Sequence, residues 1–124
     1  MRQHMLIMGL AVVTVAWFLL SPPRFWLNLT KQVNTRPEVG AQLVDQYDCR
    51  SCHQIAGVGA LKAPSLQGIT QQINDPAQVT LRLWLQNPKA VKSDTAMPNF
   101  YLSDSEIEAI LAHLKQLDNQ DHMQ

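Results

Sequence analysis

The sequence predicts an all-α protein: one small helical domain preceded by a single N-terminal transmembrane helix. Three observations carry that reading. Met5 to Leu20 is an uncharged, almost wholly apolar run of sixteen residues. Downstream, apolar residues recur at helical spacing, and no alternating strand pattern, strand pair, internal repeat or low-complexity segment appears. Both cysteines of the chain fall in one short stretch, Cys49-Arg50-Ser51-Cys52-His53. The expected organisation is an anchor over residues 1–23, a linker over 24–37 and a helical domain over 38–124.

The apolar run is slightly shorter than the ~20 residues that usually span a bilayer, and Ser21, Pro22 and Pro23 extend it into the interface. Trp17, Phe18, Phe25 and Trp26 read as an aromatic belt. A cleaved signal peptide is the competing reading, but no small-x-small cleavage site and no lipid-accepting cysteine follows the run. An uncleaved anchor is therefore expected. Arg2 places the N-terminus in the cytoplasm, a signal that Arg24 on the far side blurs. Residues 24–37 form a polar connector ending in Arg36-Pro37. As a flexible chain it would span roughly 20 Å. Alternatively, Phe25, Trp26, Leu27 and Leu29 continue as a short interfacial helix, and the sequence does not decide between the two.

The chain has 124 residues with 10 Lys+Arg against 10 Asp+Glu, so it carries no nucleic-acid footprint. From Val39 onward six basic residues stand against nine acidic ones, a net charge of −3. A domain of this size buries little core unaided. Its aromatic content of 6% fits a core completed by a bound group.

Glu38 to Tyr47 is the first expected domain helix, with Val39, Leu43, Val44 and Tyr47 at helical spacing. Gly40 in its first turn costs up to ~1 kcal/mol relative to Ala, and marks either a close helix–helix contact or a simple helix start. A second helix is expected from Pro76, with Asp75 as N-cap, through Val79, Leu83 and Trp84 to Asn87-Pro88. Trp84 reads as core, with an indole N–H that needs an acceptor if buried. Ala96 to Tyr101 is a loop. The last helix opens on a capping box of Ser103 and Glu106 and carries an apolar stripe of Ile107, Ile110, Leu111, Leu114 and Leu117. Asp104, Glu106 and Glu108 put negative charge at the positive end of its dipole. His113 beside the stripe reads as a packing residue, and Asp118 to Gln124 as a mobile tail.

Cys49-x-x-Cys52-His53 has the attachment spacing of a c-type haem. Two thiols three positions apart on one helical turn can each add to a porphyrin vinyl group, and the next residue then has its imidazole under the iron. A redox-active disulfide and half of a zinc site share the Cys-x-x-Cys spacing. Zinc needs a second ligand pair, and His4, His113 and His122 show no paired spacing. A thioredoxin-like motif needs a βαβ context, and none is visible. The glycine-rich Ala56 to Ala60 lacks the Lys-Ser/Thr of a phosphate-binding loop. Met97, between two helices and well after His53, is the preferred sixth iron ligand. Met1, Met5 and Met8 lie in or beside the anchor, and Met123 lies in the tail. A haem propionate is a suitable acceptor for Trp84.

From Val39 to about Leu117 the chain resembles class I cytochrome c. The marks are Gly40 with Leu43 before Cys49-x-x-Cys52-His53, then Ala63-Pro64-Ser65-Leu66, then Ala96-Met97-Pro98, then a closing amphipathic helix. The resemblance implies a class I cytochrome c fold around one covalent haem, with the Gly40 helix crossing the last helix near His113 and Leu114. It also implies that the Pro64 carbonyl accepts a hydrogen bond from the Nδ1–H of His53. Ala63 replaces a glycine often found there, and His113 stands where an aromatic is common. The anchor, the Trp84 helix and Ala96-Met97-Pro98-Asn99-Phe100-x-Leu102-Ser103 look like the small cytochrome c subunit of bacterial nitric oxide reductases. These features recur in other anchored cytochromes and in haem subunits of oxidases, and the chain is short for that subunit.

An electron-transfer protein rather than an enzyme is therefore expected, with one haem c attached through Cys49 and Cys52 and ligated by His53 and Met97. Pro64 and Trp84 are its further cofactor-binding residues. With both axial positions assigned, no small-molecule substrate is expected. Met/His ligation raises the potential, so the expected partners are a quinol-oxidising donor and a terminal reductase or oxidase. The expected location is the cytoplasmic membrane, single-pass, with the haem domain on the periplasmic side where c-type maturation occurs. Arg50, Lys62, Lys89 and Lys92 either rim the haem edge and steer an acidic partner or are ordinary solvated charges. Two alternatives remain: a built-in haem subunit of a larger respiratory or photosynthetic complex, and a haem-based redox or gas sensor, for which no output domain is visible.

Overall fold

The computed structural model describes residues 1–72 and 74–121. Its helices are α1 (Arg2–Leu20), α2 (Arg24–Thr30), α3 (Pro37–Gln46), α4 (Val79–Gln86), α5 (Pro88–Val91) and α6 (Asp104–Asp121). Short 3-10 turns lie at Cys49–Ser51 and Ile69–Gln71. Among the described residues there is no strand, only one isolated antiparallel bridge between Ile55 and Val58. This is the all-α architecture expected from the periodicity.

Helix α1 is long and apolar enough to cross a membrane, and none of its residues is buried. Its one hydroxyl within the apolar run, on Thr14, bonds back to the Leu10 and Ala11 carbonyls. The hydroxyl is thereby satisfied within the helix itself.

The domain core is the crossing of α3 over α6. Leu43 and Val44 pack with Leu102, Ile107, Ile110, Leu111 and Leu114, and Ile55 completes the cluster. Gly40 allows the crossing. A Cβ there would stand 1.9 Å from the Ala109 carbonyl oxygen and 2.8 Å from the His113 Cβ, so the glycine is a close-contact residue as well as a first-turn one. The capping box forms as the sequence predicts: the Ser103 N–H donates to Glu106 Oε2 at 2.8 Å, and the Glu106 N–H donates to Ser103 Oγ at 3.2 Å.

Two sequence expectations are corrected. The second helix begins at Val79, not Pro76, because Gln78 takes a left-handed conformation at φ 52° that interrupts the chain after Pro76. Asp75 still caps, but from a distance: its carboxylate accepts the N–H groups of Thr80 at 3.2 Å and Leu81 at 3.1 Å. At the C-terminus, Asp118 is not tail. It lies inside α6 and is buried, accepting the N–H of Gly68 and both the N–H and hydroxyl of Thr70. The helix runs on to Asp121, so residues 119–121 are not tail either; the rest of the expected tail, residues 122–124, lies outside the described residues.

Helix α4 is fastened to α6 by Arg82, whose guanidinium pairs both carboxylate oxygens of Glu108. This pairing is the main reason the Glu108 carboxyl is held below its usual range.

The connector left open by the sequence is helical over Arg24–Thr30. One side of α2 is stitched to the start of α6. Arg24 pairs with Asp104, and Asn28 both donates to the Asp104 carboxylate and accepts the Asp104 N–H at 2.8 Å. Asn28 thus satisfies a helix-start donor from outside the helix. Just beyond, Lys31 Nζ reaches the Tyr101 carbonyl at 2.9 Å and Glu106 at 3.2 Å. The Ser103 hydroxyl donates to the Lys31 carbonyl at 2.6 Å, and the Val33 N–H donates to Ser105 Oγ at 3.1 Å.

Candidate haem-attachment site

The two cysteines and the histidine are positioned by a reversal at the end of α3. Asp48 adopts a left-handed conformation, φ 52°, which short polar residues tolerate. It turns the chain into the 3-10 turn Cys49–Ser51. The N–H groups of Cys52 and His53 both return to the Cys49 carbonyl, at 3.3 and 3.0 Å. The motif therefore makes one tight turn.

The loop after the motif clamps this turn through the backbone. The Ala60 N–H donates to the Arg50 carbonyl at 2.9 Å, Ala63 to Cys52 at 3.0 Å and Leu66 to Gln54 at 3.0 Å. Ala56 and Gly57, both with positive φ, close the turn between Ile55 and Val58. Gly59, at φ 116°, lies so close beneath the motif that a Cβ would stand 2.3 Å from the His53 carbonyl oxygen and 2.9 Å from that of Arg50. The glycine-rich stretch, which carried little meaning as sequence, is the floor of the attachment motif. The only hint available was a glycine six residues after the histidine, and the contact it makes possible is not visible from spacing.

His53 Nδ1 lies 2.7 Å from the Pro64 carbonyl oxygen. A carbonyl only accepts, so Nδ1 carries the proton and Nε2 is left as a lone-pair donor. This is the orientation that an imidazole needs to bind iron through Nε2. The two cysteines are not joined in a disulfide. Burial pushes the Cys49 thiol above its ordinary value, and a backbone hydrogen bond and the Arg50 charge only partly offset this. Among the described residues no three His, Cys, Asp or Glu side chains gather as a metal-binding group, so the zinc reading gains no second ligand pair.

Hydrogen bonds bring Cys49, Cys52, His53 and Pro64 into one unit. Met97 and Trp84 stand on separate elements. Met97 is half-buried in the irregular stretch before α6, its N–H held by Thr95 Oγ1 at 3.2 Å. Trp84 lies on α4, whose apolar side chains Leu81, Trp84 and Leu85 are each half-buried, with no residue of the helix fully enclosed. Leu66, Ile69 and Phe100 are likewise only partly buried against the core. Two thiols, an oriented imidazole, a thioether and a partly covered apolar shell fit a haem. The Arg50 guanidinium donates to the Ile55 carbonyl at 3.0 Å and lies 3.4 Å from Asp45. Half-buried, it ties the motif to the following turn, while Lys62, Lys89 and Lys92 are exposed.

The cytochrome c family matches residues 37–118 of the chain. A cytochrome c oxidase subunit 2 from Alkalihalophilus pseudofirmus is 25% identical over 99 residues, covering 73% of this chain. The chain spans 28% of the length of that relative. No solved structure gives a significant match. With the family covering the whole span from α3 into α6, and the two thiols at attachment spacing on one turn, the chain belongs to the cytochrome c family and carries covalently attached haem c.

Proposed function

We propose that this chain is a membrane-anchored one-electron carrier, with α1 spanning the cytoplasmic membrane and the cytochrome domain on its periplasmic side. The observation that carries the reading is the bond from His53 Nδ1–H to the Pro64 carbonyl. It fixes ring orientation and tautomer in advance and leaves Nε2 as an iron ligand. Cys49 and Cys52 would hold the porphyrin, Met97 would supply the second axial ligand, and the Trp84 indole N–H would bond a propionate. When bound, the haem supplies a one-electron Fe(III)/Fe(II) couple. Cys49, Cys52, His53 and Met97 would hold that couple in place, and the Met97 thioether would raise its potential. With His53 and Met97 both bound to the iron, no site would be left for a substrate, which favours electron transfer over catalysis. The partners are then a quinol-oxidising donor and a terminal reductase or oxidase in the same membrane, where anchoring raises their effective concentration.

A second reading, a built-in haem subunit of an oxidase- or nitric oxide reductase-type complex, is favoured by two observations. One is the similarity to an oxidase subunit 2. The other is the bonding of α2 to α6, which suits a fixed relay better than a free-swinging shuttle. Haem staining of membranes solubilised in mild detergent tests both. A denaturation-resistant stain near 14.0 kDa is expected, and its absence would end the cytochrome reading. A small native band supports the carrier. Migration with a large assembly supports the subunit.

A further inference from the structure

We propose that α2 is a membrane-seated platform: its outer apolar face lies in the headgroup region of the bilayer that α1 spans, and its inner face holds the cytochrome domain in one orientation. The proposal rests on the anchored reading above.

The two faces of α2 are chemically opposite. At about 100° per residue, Arg24, Leu27 and Asn28 lie on one side, and Phe25, Trp26 and Leu29 lie on the other. Leu27 is 6% exposed, and Arg24 and Asn28 are bonded to Asp104. Phe25 is 67%, Trp26 42% and Leu29 69% exposed. A seven-residue helix with three large apolar side chains facing outward is costly in water and is the composition of an interfacial segment.

The occupant of that face is set by chain connectivity. Only Ser21, Pro22 and Pro23 separate the end of α1 from the start of α2. Phe18 of α1 and Trp26 of α2 meet edge to face, with ring centroids 5.3 Å apart. The outer face of α2 therefore continues the lipid-facing surface of α1 without a break. It sits where aromatic side chains anchor spans at the interface.

The inner face makes this seat matter for the haem. Arg24, Asn28 and Lys31 bond Leu102, Asp104, Tyr101 and Glu106, which run directly on from the Met97 loop. The Tyr101 hydroxyl also reaches the Leu20 carbonyl of α1 at 3.4 Å. Tilt of the domain about the membrane is thereby coupled to the seat of α2, and the Met97 side of the domain is kept near the membrane.

The test is electron paramagnetic resonance of the oxidised, full-length haem protein in oriented multilayers of phosphatidylethanolamine and phosphatidylglycerol. The haem signal is expected to change with the angle between field and membrane normal. A signal independent of angle, from protein that stays in the membrane through an alkaline wash, would overturn the platform. Release by that wash would instead overturn the anchored reading on which it rests. The variant Phe25→Ser/Trp26→Ser/Leu29→Ser, altered only at exposed positions, is expected to keep covalent haem and membrane retention but lose the angular dependence. Full orientation in that variant overturns the proposal. So does orientation seen in native membranes but not in the pure lipid, because it would assign the face to a protein partner.

Discussion

Asp118 accepts both the backbone N–H of Thr70, at 2.9 Å, and the Thr70 hydroxyl, at 2.6 Å. Its other oxygen takes the Gly68 N–H at 2.8 Å, and the residue is 3% exposed. The last turns of α6 are thereby pinned to the 3-10 turn that leads from the attachment loop towards α4. Asp118→Ala strands buried donors without an acceptor. It is expected to lower unfolding free energy by about 2–4 kcal/mol, the sum of lost charge-assisted bonds and unsatisfied groups. Asp118→Asn keeps one acceptor oxygen and loses about half as much. Denaturant unfolding of the haem-loaded protein measures both, and a loss under about 0.5 kcal/mol for the alanine would contradict this role.

Gly40 sets two effects against each other. In a helix, Ala is preferred over Gly by up to about 1 kcal/mol. Against this, a Cβ at position 40 meets the Ala109 carbonyl oxygen at 1.9 Å, a backbone atom that cannot rotate aside. Overpacking of this kind costs about 1–3 kcal/mol or more as the helices move apart, so the clash wins. Gly40→Ala should lower thermal stability, with haem still attached because the motif itself is untouched. An unchanged or raised melting temperature would show that α3 and α6 separate freely.

These two positions also show what the sequence makes legible. Gly40 could be singled out from its place in a helix, and the Ser103–Glu106 box from a spacing of three, because both signals are local. The His53–Pro64 bond came only through family resemblance. Asp118 read as tail because its partners lie 48 and 50 residues away, and a short acidic residue near a terminus has no local signature. The helicity of Arg24–Thr30 was undecidable for the same reason, since Asn28 is secured by Asp104, 76 residues on. Nothing in the Gln78 side chain announces its left-handed conformation, so sequence spacing alone puts the start of α4 three residues early.

Met97→Ala should leave haem attached, since both thiols remain. The reduced protein should then bind carbon monoxide, and its reduction potential should fall with loss of the thioether ligand. Absorbance spectra with and without carbon monoxide, beside a redox titration, check this. Unchanged spectra would remove Met97 from the ligand set. Cys49→Ser and Cys52→Ser provide the complementary result, a haem stain weakened or lost on a denaturing gel. A normal yield of stained protein in either variant would contradict the attachment assignment.

His113 adds a pH dependence of its own. Its Nε2 is buried without a hydrogen-bond partner among the described residues, next to Gly40 at the crossing of α3 and α6. Burial, and then the Arg50 charge, push its pKa below the ordinary 6.5, with Asp45 opposing. The unfolded chain thus takes up a proton more readily than the folded one. Well above pH 6.5 the imidazole is neutral in both states and contributes nothing. As pH falls through 6.5 only the unfolded state gains the proton, so stability is lost progressively until the lower folded value is reached. His113→Phe removes this proton uptake while keeping an aromatic ring at the crossing. Stability of the variant minus that of the wild type, measured between pH 7.5 and 5.5, should grow as the pH falls. A difference that stays level would mean that His113 titrates as freely in the fold as outside it.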